Sequence, residues 1–251
     1  MGSLPEDKAT TKTVMNSNHR TIAAISIFCI AMAALESAVV VYLRALYYPD
    51  GFTVMLKMID PKIVLIEIVR EAATVVMLIA VAYLTGNSFK NRFAYFLMAF
   101  AIWDIFYYVW LKIFIDWPSS LFEWDILFLI PFTWLGPVLA PLICSLLMLL
   151  LSWVIMKTDK PLAKVTWALL TIGAAFILYT FLYDYARIII GNDLIQDYLS
   201  ILKNEKFIRI ASHYVPAGYN WGIFVMGFLF ISLSVGKQFA ENNKTTAASG
   251  H

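Results

Sequence analysis

Six long apolar segments dominate this sequence and limit what it can fold into. They occupy approximately residues 21–43, 63–84, 93–115, 126–155, 165–190 and 218–236. About 20 mainly apolar residues suffice for a helix to cross a lipid bilayer. A helix also pairs its own backbone polar groups, which no other single segment can do in lipid. The sequence therefore predicts an all-α, polytopic transmembrane helix bundle with six spans.

The composition supports a membrane protein. Hydrophobic residues make up 61% of the 251 residues and charged residues only 14%, whereas soluble domains average about 25% charged residues. The net charge of +2 gives no indication of nucleic acid as a partner. Cys29 and Cys144 both lie in apolar segments, where we expect them to fill the core. The expected partners are the lipid bilayer and other membrane subunits.

The segments outside the spans suggest a simple organisation. Residues 1–20 form a polar N-terminal segment, 21–236 the six-helix domain and 237–251 a polar tail. Within the domain, 193–211 has apolar residues at helical spacing and is predicted to be a surface helix. The fourth span contains Pro131, Pro137 and Pro141, so we expect it to start as an interfacial or kinked piece.

Basic residues predict the orientation, because Lys and Arg are enriched in cytoplasmic loops. The N-terminal segment, the loops after the second and fourth spans, and the tail together contain ten; the opposite side contains six. Both termini are therefore predicted to be cytoplasmic, in a multi-pass protein of the cytoplasmic (inner) membrane.

Ionisable residues within the spans fall on one side of the predicted membrane. Glu67, Arg70, Glu71 and Thr74 follow i, i+3, i+4, i+7 spacing at the outer end of the second span, which places them on one helix face. The inner half of every span lacks charged residues. Because an unpaired charge in the bilayer centre costs roughly 2.5–3.5 kcal/mol, we expect these side chains to meet in one chamber.

We therefore predict an outward-facing pocket that binds or processes a small polar or lipid-linked ligand. Perturbed carboxylates beside Arg and Tyr are typical of active sites. The candidate catalytic residues are the four carboxylates Glu36, Asp104, Glu67 and Glu71. The candidate ligand-binding residues are Arg70, Tyr107, Tyr108, Asp184, Arg187, Tyr179, Trp134 and His213.

Other interpretations of the same residues stay open at this point. The acid–base group could be purely structural and hold the helices in register. A divalent cation could sit among the four carboxylates, since Mg, Ca and Mn prefer oxygen ligands. A quinone head group is another candidate, in a subunit of a larger respiratory or transport complex. A small-solute or proton-coupled transporter is disfavoured, because transport needs polar groups through the full depth.

Four stretches carry a resemblance to a known group of proteins. They are "REAATVVML", "WDIFYYVWLK", "WDILFLIP" and "WLGPVLAP". Together they resemble a family of uncharacterised bacterial integral membrane proteins over most of the chain. The resemblance implies a six-span fold and no known activity.

Overall fold

A computed structural model describes residues 6–48, 60–129, 133–158, 161–192, 209–210, 214, 216 and 218–249. Six helices dominate it: α1 (Glu6–Tyr47), α2 (Pro61–Thr85), α3 (Phe89–Ile115), α4 (Leu139–Met156), α5 (Lys164–Gly191) and α6 (Trp221–Ser249). Two short strands, β1 (Trp124–Phe128) and β2 (Trp134–Pro137), lie between α3 and α4.

Five helices are long and apolar enough to cross a membrane. They are His19–Tyr47 within α1, then α3, α4 and α5, and Trp221–Glu241 within α6. The protein is thus mostly helical, and its five long apolar helices support the prediction of a helical membrane protein. The α2 helix, with 25 residues, is not among the five; its first turns carry Glu67, Arg70 and Glu71.

Local signals explain where two helices begin. Asp60 caps α2, because its carboxylate accepts the backbone N–H of Lys62 at 2.8 Å, and Pro61 follows at the first helical position. Ser88 caps α3 by accepting the N–H of Asn91 at 3.2 Å. Both caps lie within a few residues of the boundaries predicted from hydropathy.

Where we expected the fourth span, 126–155, to start as an interfacial or kinked piece, the structure has a β-hairpin, and α4 begins only at Leu139. Residues 126–155 do not form one helix, because β1 and β2 pair as an antiparallel hairpin before α4 begins at Leu139. Pro137 lacks a backbone N–H and disfavours helical geometry in the residue before it, so a helix cannot run through this point unbroken. The hairpin is fixed to the preceding loop, since the N–H of Val138 donates to Glu123 O at 2.9 Å and that of Leu139 to Leu121 O at 2.8 Å.

The helices form two groups. In the first, α3 packs against α1, α2 and α4; in the second, α5 packs along α6. The backbones of α5 and α6 approach closely at Gly173 and Gly227, where an added Cβ atom would lie within 2.8 Å of the facing backbone oxygen. Small residues allow this approach between membrane helices.

Hydroxyl groups add hydrogen bonds between helices and show their relative directions. Ser152 Oγ donates to Ala94 O at 2.7 Å and Ser234 Oγ to Thr166 O at 3.3 Å. Near the other end of α5, the hydroxyls of Thr180 and Tyr219 are 2.6 Å apart. The order of these contacts makes α5 and α6 antiparallel. Large apolar side chains cover the outside of the helices, with Leu84 84% exposed and Leu46 73% exposed.

Most of the predicted surface helix lies outside the described residues. Of residues 193–211, only Arg209 and Ile210 are described, and both are helical.

Candidate functional site

A cavity of about 470 Å³ lies between the two helix groups. Its polar lining comes from the second half of α1, the first half of α2, the second half of α3 and the start of α4. These residues are Glu36, Arg70, Glu71, Thr74, Asp104, Tyr107, Tyr108 and Ser145. Towards the opposite ends of the helices the lining is aliphatic and includes Leu97, Leu151, Leu170 and Ile231. The polar groups therefore lie towards one end of a mostly apolar cavity.

Arg70 joins two carboxylates at the polar end. Its Nε donates to Glu67 Oε2 at 2.7 Å, one turn earlier on α2, and its Nη1 forms an ion pair with Glu36 on α1. Thr74 Oγ1 donates to the other Glu36 oxygen at 3.2 Å. The planar guanidinium suits contacts with two carboxylates at once. The ion pair between Glu36 and Arg70 links α1 to α2.

Glu71 lines the cavity and is held by backbone rather than by a base. Its Oε2 accepts the N–H of Leu129, the residue after β1, at 2.8 Å. Its side chain is 8% exposed. Within the described part of the chain, no lysine or arginine nitrogen lies within 4.0 Å of it. The hairpin that the sequence did not predict thus positions this carboxylate.

Asp104 is the second cavity carboxylate without a basic partner in the described ranges. Its Oδ2 accepts the Ser145 hydroxyl at 2.7 Å, which joins α3 to α4. Asp104 is 9% exposed and Ser145 is fully buried. One neutral hydrogen bond compensates only part of the cost of burying a charged carboxylate.

The two tyrosines of α3 continue this wall. Tyr107 and Tyr108 line the cavity, with their rings 4.9 Å apart in an edge-to-face arrangement. The Tyr108 side chain lies close to the Asp125 carboxylate of β1. Both tyrosines were predicted to line the pocket, and both do.

Asp125 and Arg44 form a buried ion pair that sequence reasoning missed. Arg44 Nη2 lies 3.1 Å from Asp125 Oδ1, and the guanidinium also lies over the Trp117 ring, 3.8 Å from its centroid. Burial raises the pKa of Asp125 to about 6, and the charge of Arg44 opposes this rise. The overlooked signal is the acid between apolar residues in "WDILF", which places Asp125 on the inner face of a strand.

Four aromatic side chains pack against one another and line the cavity. The Phe128 ring lies 6.1 Å from Trp103 and 5.4 Å from Trp134, and the Trp134 ring stacks on Phe181. All four residues line the cavity. The indole nitrogens of Trp103 and Trp134 are buried and have no hydrogen-bond partner among the described residues.

Three of the predicted ligand-binding residues lie elsewhere, and a fourth cannot be placed. Asp184 is buried on α5 and accepts the Tyr214 hydroxyl at 2.6 Å, away from the cavity lining. Burial raises the pKa of Tyr214, and its contact with Asp184 raises it further. Tyr179 is 48% exposed and Arg187 is also exposed, and neither lines the cavity. His213 lies outside the described residues.

The predicted cation site gains no support from the arrangement of the acids. Within the part of the chain that the structure describes, no group of three or more His, Cys, Asp or Glu residues is placed to hold a metal ion. The four candidate carboxylates instead contact Arg70, a backbone N–H and a serine hydroxyl.

The apolar helices and the cavity between them define a helical membrane protein with a cavity inside its helix bundle. Comparison of the chain with protein-family models, curated proteins and solved structures gives no match in any of the three.

Proposed function

We propose that this chain is a six-span membrane protein with both termini cytoplasmic, and that its cavity binds an amphiphilic ligand. The grouping of the polar lining residues towards one end of a mostly apolar cavity is the observation that carries the proposal. A volume of about 470 Å³ falls within the range of about 300–1,000 Å³ that is usual for small-molecule sites. An apolar chain fits the aliphatic end, and a polar head fits the end lined by Glu71 and Asp104.

The predicted orientation supports a head group near the outer leaflet. Glu36 and Asp104 lie in the later parts of α1 and α3, which run outward if the N-terminus is cytoplasmic. Arg70 and Glu71 lie early in α2, which runs inward. The ligand head would then lie at the depth of the outer lipid head groups, and its chain would lie parallel to the acyl chains.

Binding is better supported than transport. Leu97, Leu151 and Leu170 line the inner end of the cavity, and a conducting or alternating-access path needs polar groups or broken helices there. Uptake of a solute into proteoliposomes that is lost in Glu36→Gln would favour the transporter instead.

A matched pair of substitutions on α4 tests the proposal. Leu147 lines the cavity and is 8% exposed, whereas its neighbour Leu146 is 61% exposed on the outer surface. Leu147→Trp should fill part of the cavity and reduce the amount of amphiphile that co-purifies with the protein in native lipid particles, as counted by mass spectrometry. Leu146→Trp should leave that amount unchanged. Equal amounts in both variants and the parent would overturn the proposal.

The topology has its own test. Single cysteines introduced at Ser3 and Ser249, in a chain in which Cys29 and Cys144 are replaced by Ala, should both react with a membrane-impermeant maleimide only after the cells are opened. Reaction of either cysteine in intact cells would contradict the proposed orientation.

A further inference from the structure

We infer that the cavity selects amphiphiles whose head group is a positively charged ammonium, attracted by the carboxylates of Glu71 and Asp104 and by the aromatic rings beside them in the chain. This inference rests on the proposed function and specifies the class of its ligand. It starts from the charges that line the polar end of the cavity, where acidic groups outnumber basic ones.

The protein does not balance these charges itself. The cavity is lined by the acids Glu36, Glu71 and Asp104 and by one base, Arg70. The Arg70 guanidinium is already shared between Glu36 and Glu67. Among the described residues, no lysine or arginine forms an ion pair with Glu71 or Asp104. A carboxylate buried without a countercharge is costly, and a ligand that supplies the countercharge removes part of that cost.

Both carboxylates keep an oxygen atom for a ligand. Glu71 Oε2 accepts the N–H of Leu129, and Asp104 Oδ2 accepts the hydroxyl of Ser145. The second oxygens, Glu71 Oε1 and Asp104 Oδ1, make no further hydrogen bond to the described residues, and neither belongs to the fully buried atoms that lack a partner. Both side chains keep a small accessible surface and line the cavity. A molecule in the cavity can therefore reach these oxygens.

Aromatic rings adjoin both carboxylates in the chain. Trp103 precedes Asp104 on α3, and Phe128 precedes Leu129, whose N–H binds Glu71. The rings of Trp103 and Phe128 are 6.1 Å apart, and both line the cavity. The face of an aromatic ring carries negative potential and attracts ammonium groups, quaternary ones included. The rings therefore favour the same sign of charge as the carboxylates do.

Other head groups fit these charges less well. A phosphate would be repelled by Glu71 and Asp104. A sugar hydroxyl can donate to a carboxylate, but it brings no countercharge. A metal ion needs several ligands together, and the described part of the chain has no group of three or more His, Cys, Asp or Glu residues placed to hold one. An ammonium group on a hydrocarbon chain supplies the positive charge, and its chain fits the apolar lining near Leu151 and Leu170.

Three amphiphiles with the same 12-carbon chain test the inference. Dodecyltrimethylammonium is compared with dodecylphosphocholine, which adds a phosphate to the same ammonium group, and with uncharged dodecyl glucoside. Each is titrated below its micelle concentration onto the full chain in nanodiscs of zwitterionic lipid, with empty nanodiscs subtracted, and binding is measured by calorimetry. We expect dodecyltrimethylammonium to bind roughly tenfold more tightly than either of the others, because it alone adds a net positive charge.

Neutral substitutions of the two carboxylates locate the charge. Glu71→Gln and Asp104→Asn keep an oxygen that can accept from Leu129 and Ser145 but remove the negative charge. Each should weaken the binding of dodecyltrimethylammonium roughly tenfold, because a close countercharge is lost, and that of dodecyl glucoside much less. Asp184→Asn is the matched control, because Asp184 is also buried and accepts a hydroxyl but does not line the cavity. It should change neither affinity.

The contribution of the aromatic rings has its own test. Phe128→Leu keeps an apolar side chain but removes a ring, and it should weaken dodecyltrimethylammonium binding about two- to fivefold, with less effect on the glucoside. Phe176→Leu is the control, because Phe176 stacks on Phe230 and does not line the cavity. An equal loss for both compounds in Phe128→Leu would show that the ring only fills space.

The outcomes separate the inference from the proposed function. Selective loss of dodecyltrimethylammonium binding in either carboxylate variant supports the inference, and one variant suffices if the other does not fold. The inference fails if neither variant shows this loss, if the cation and the glucoside weaken equally, or if dodecylphosphocholine or the glucoside binds most tightly. In each of these cases, loss of binding in Leu147→Trp still supports a cavity for amphiphiles. If Leu147→Trp leaves the binding of all three compounds unchanged, the proposed function itself fails.

Discussion

Arg44 on α1 and Asp125 on β1 form an ion pair with a nitrogen–oxygen distance of 3.1 Å, and both side chains are at most 9% exposed. The pair fixes the end of the first helix to the hairpin. Because Tyr108 on α3 also lies close to Asp125, three separate parts of the chain meet at one carboxylate. This junction lies beside the polar end of the cavity and holds the tyrosine wall in place.

Replacing Arg44 with Met should destabilise the protein by about 3 kcal/mol, because removal of one partner leaves a buried carboxylate uncompensated. The double variant Arg44→Met, Asp125→Asn should recover most of this loss. The measurement is the unfolding midpoint in mild detergent, followed by tryptophan fluorescence as SDS is increased. If the double variant is less stable than the single one, the pair is not the source of the effect.

The stability should also depend on pH through Asp125. Burial raises the pKa of this carboxyl to about 6 from the ordinary 3.8, so the folded state holds the proton more tightly than the unfolded state. The contribution of Asp125 to stability is therefore complete below about pH 4 and is lost as the pH rises through 6, with a maximum change of about 3 kcal/mol.

Asp125→Asn should remove this decrease between pH 4 and pH 6, as judged from thermal midpoints in detergent at several pH values. Asp116 provides the control. Its pKa is lowered by the exposed contact with Lys112, in which the ammonium nitrogen lies 2.7 Å from the carboxylate. Asp116 therefore contributes a small increase in stability as the pH rises. Asp116→Asn should show the same loss of stability between pH 4 and pH 6 as the parent protein. A parent protein whose stability rises from pH 4 to pH 6 would contradict the assignment.

Arg70 should not be replaceable by Lys, although the charge is the same. Arg70 reaches Glu67 through Nε and Glu36 through Nη1, and a single ammonium cannot reproduce this fork. Arg70→Lys should cost about 1–2 kcal/mol, in the range of a hydrogen bond to a charged group. In Lys112→Arg, at an exposed ion pair, the change should be below about 0.5 kcal/mol. Equal effects at the two positions would mean that the fork is unimportant.

The sequence predicted the helices well because hydropathy and caps are local signals. The α2 and α3 helices begin within a few residues of the predicted positions, at Asp60 and Ser88. The grouping of Glu36, Arg70, Glu71 and Asp104 was also predictable, since a buried charge in an apolar helix must face other polar groups. The hairpin was not predictable from the sequence. Residues 126–137 are as apolar as a membrane span, and only the prolines in them disfavour a helix.

The missed parts of the site depend on tertiary contacts. Nothing local to Arg44 shows that it meets Asp125, which is 81 residues away in sequence. Ser145 lies in an apolar helix and was not predicted as a site residue, yet its hydroxyl is the partner of Asp104. Conversely, Asp184 shares a face of α5 with the cavity residues Ile177 and Phe181 but lies beyond the cavity along the helix, and Arg187 is on the exposed side.

The contact between α5 and α6 gives a last prediction, on how the aliphatic end of the cavity is built. An added Cβ atom at Gly227 would lie 2.7 Å from Gly173 O, and one at Gly173 would lie 2.8 Å from Gly227 O. These are backbone atoms, so either helix must move to make room. Gly173→Ala and Gly227→Ala should each destabilise the protein by about 1–3 kcal/mol, the usual cost of overpacking.

Gly236 lies further along α6 and is the control, because nothing lies within 4 Å of an added Cβ atom there. Gly236→Ala should be neutral or stabilising by up to about 1 kcal/mol, since Ala favours the helix. SDS-induced unfolding measures all three variants. Because Ile231, which follows Gly227 on α6, lines the cavity with Leu170 of α5, separation of the two helices at this crossing should also weaken the binding of an alkyl chain. Wild-type stability in Gly227→Ala would show that the helices do not approach as closely as this packing requires.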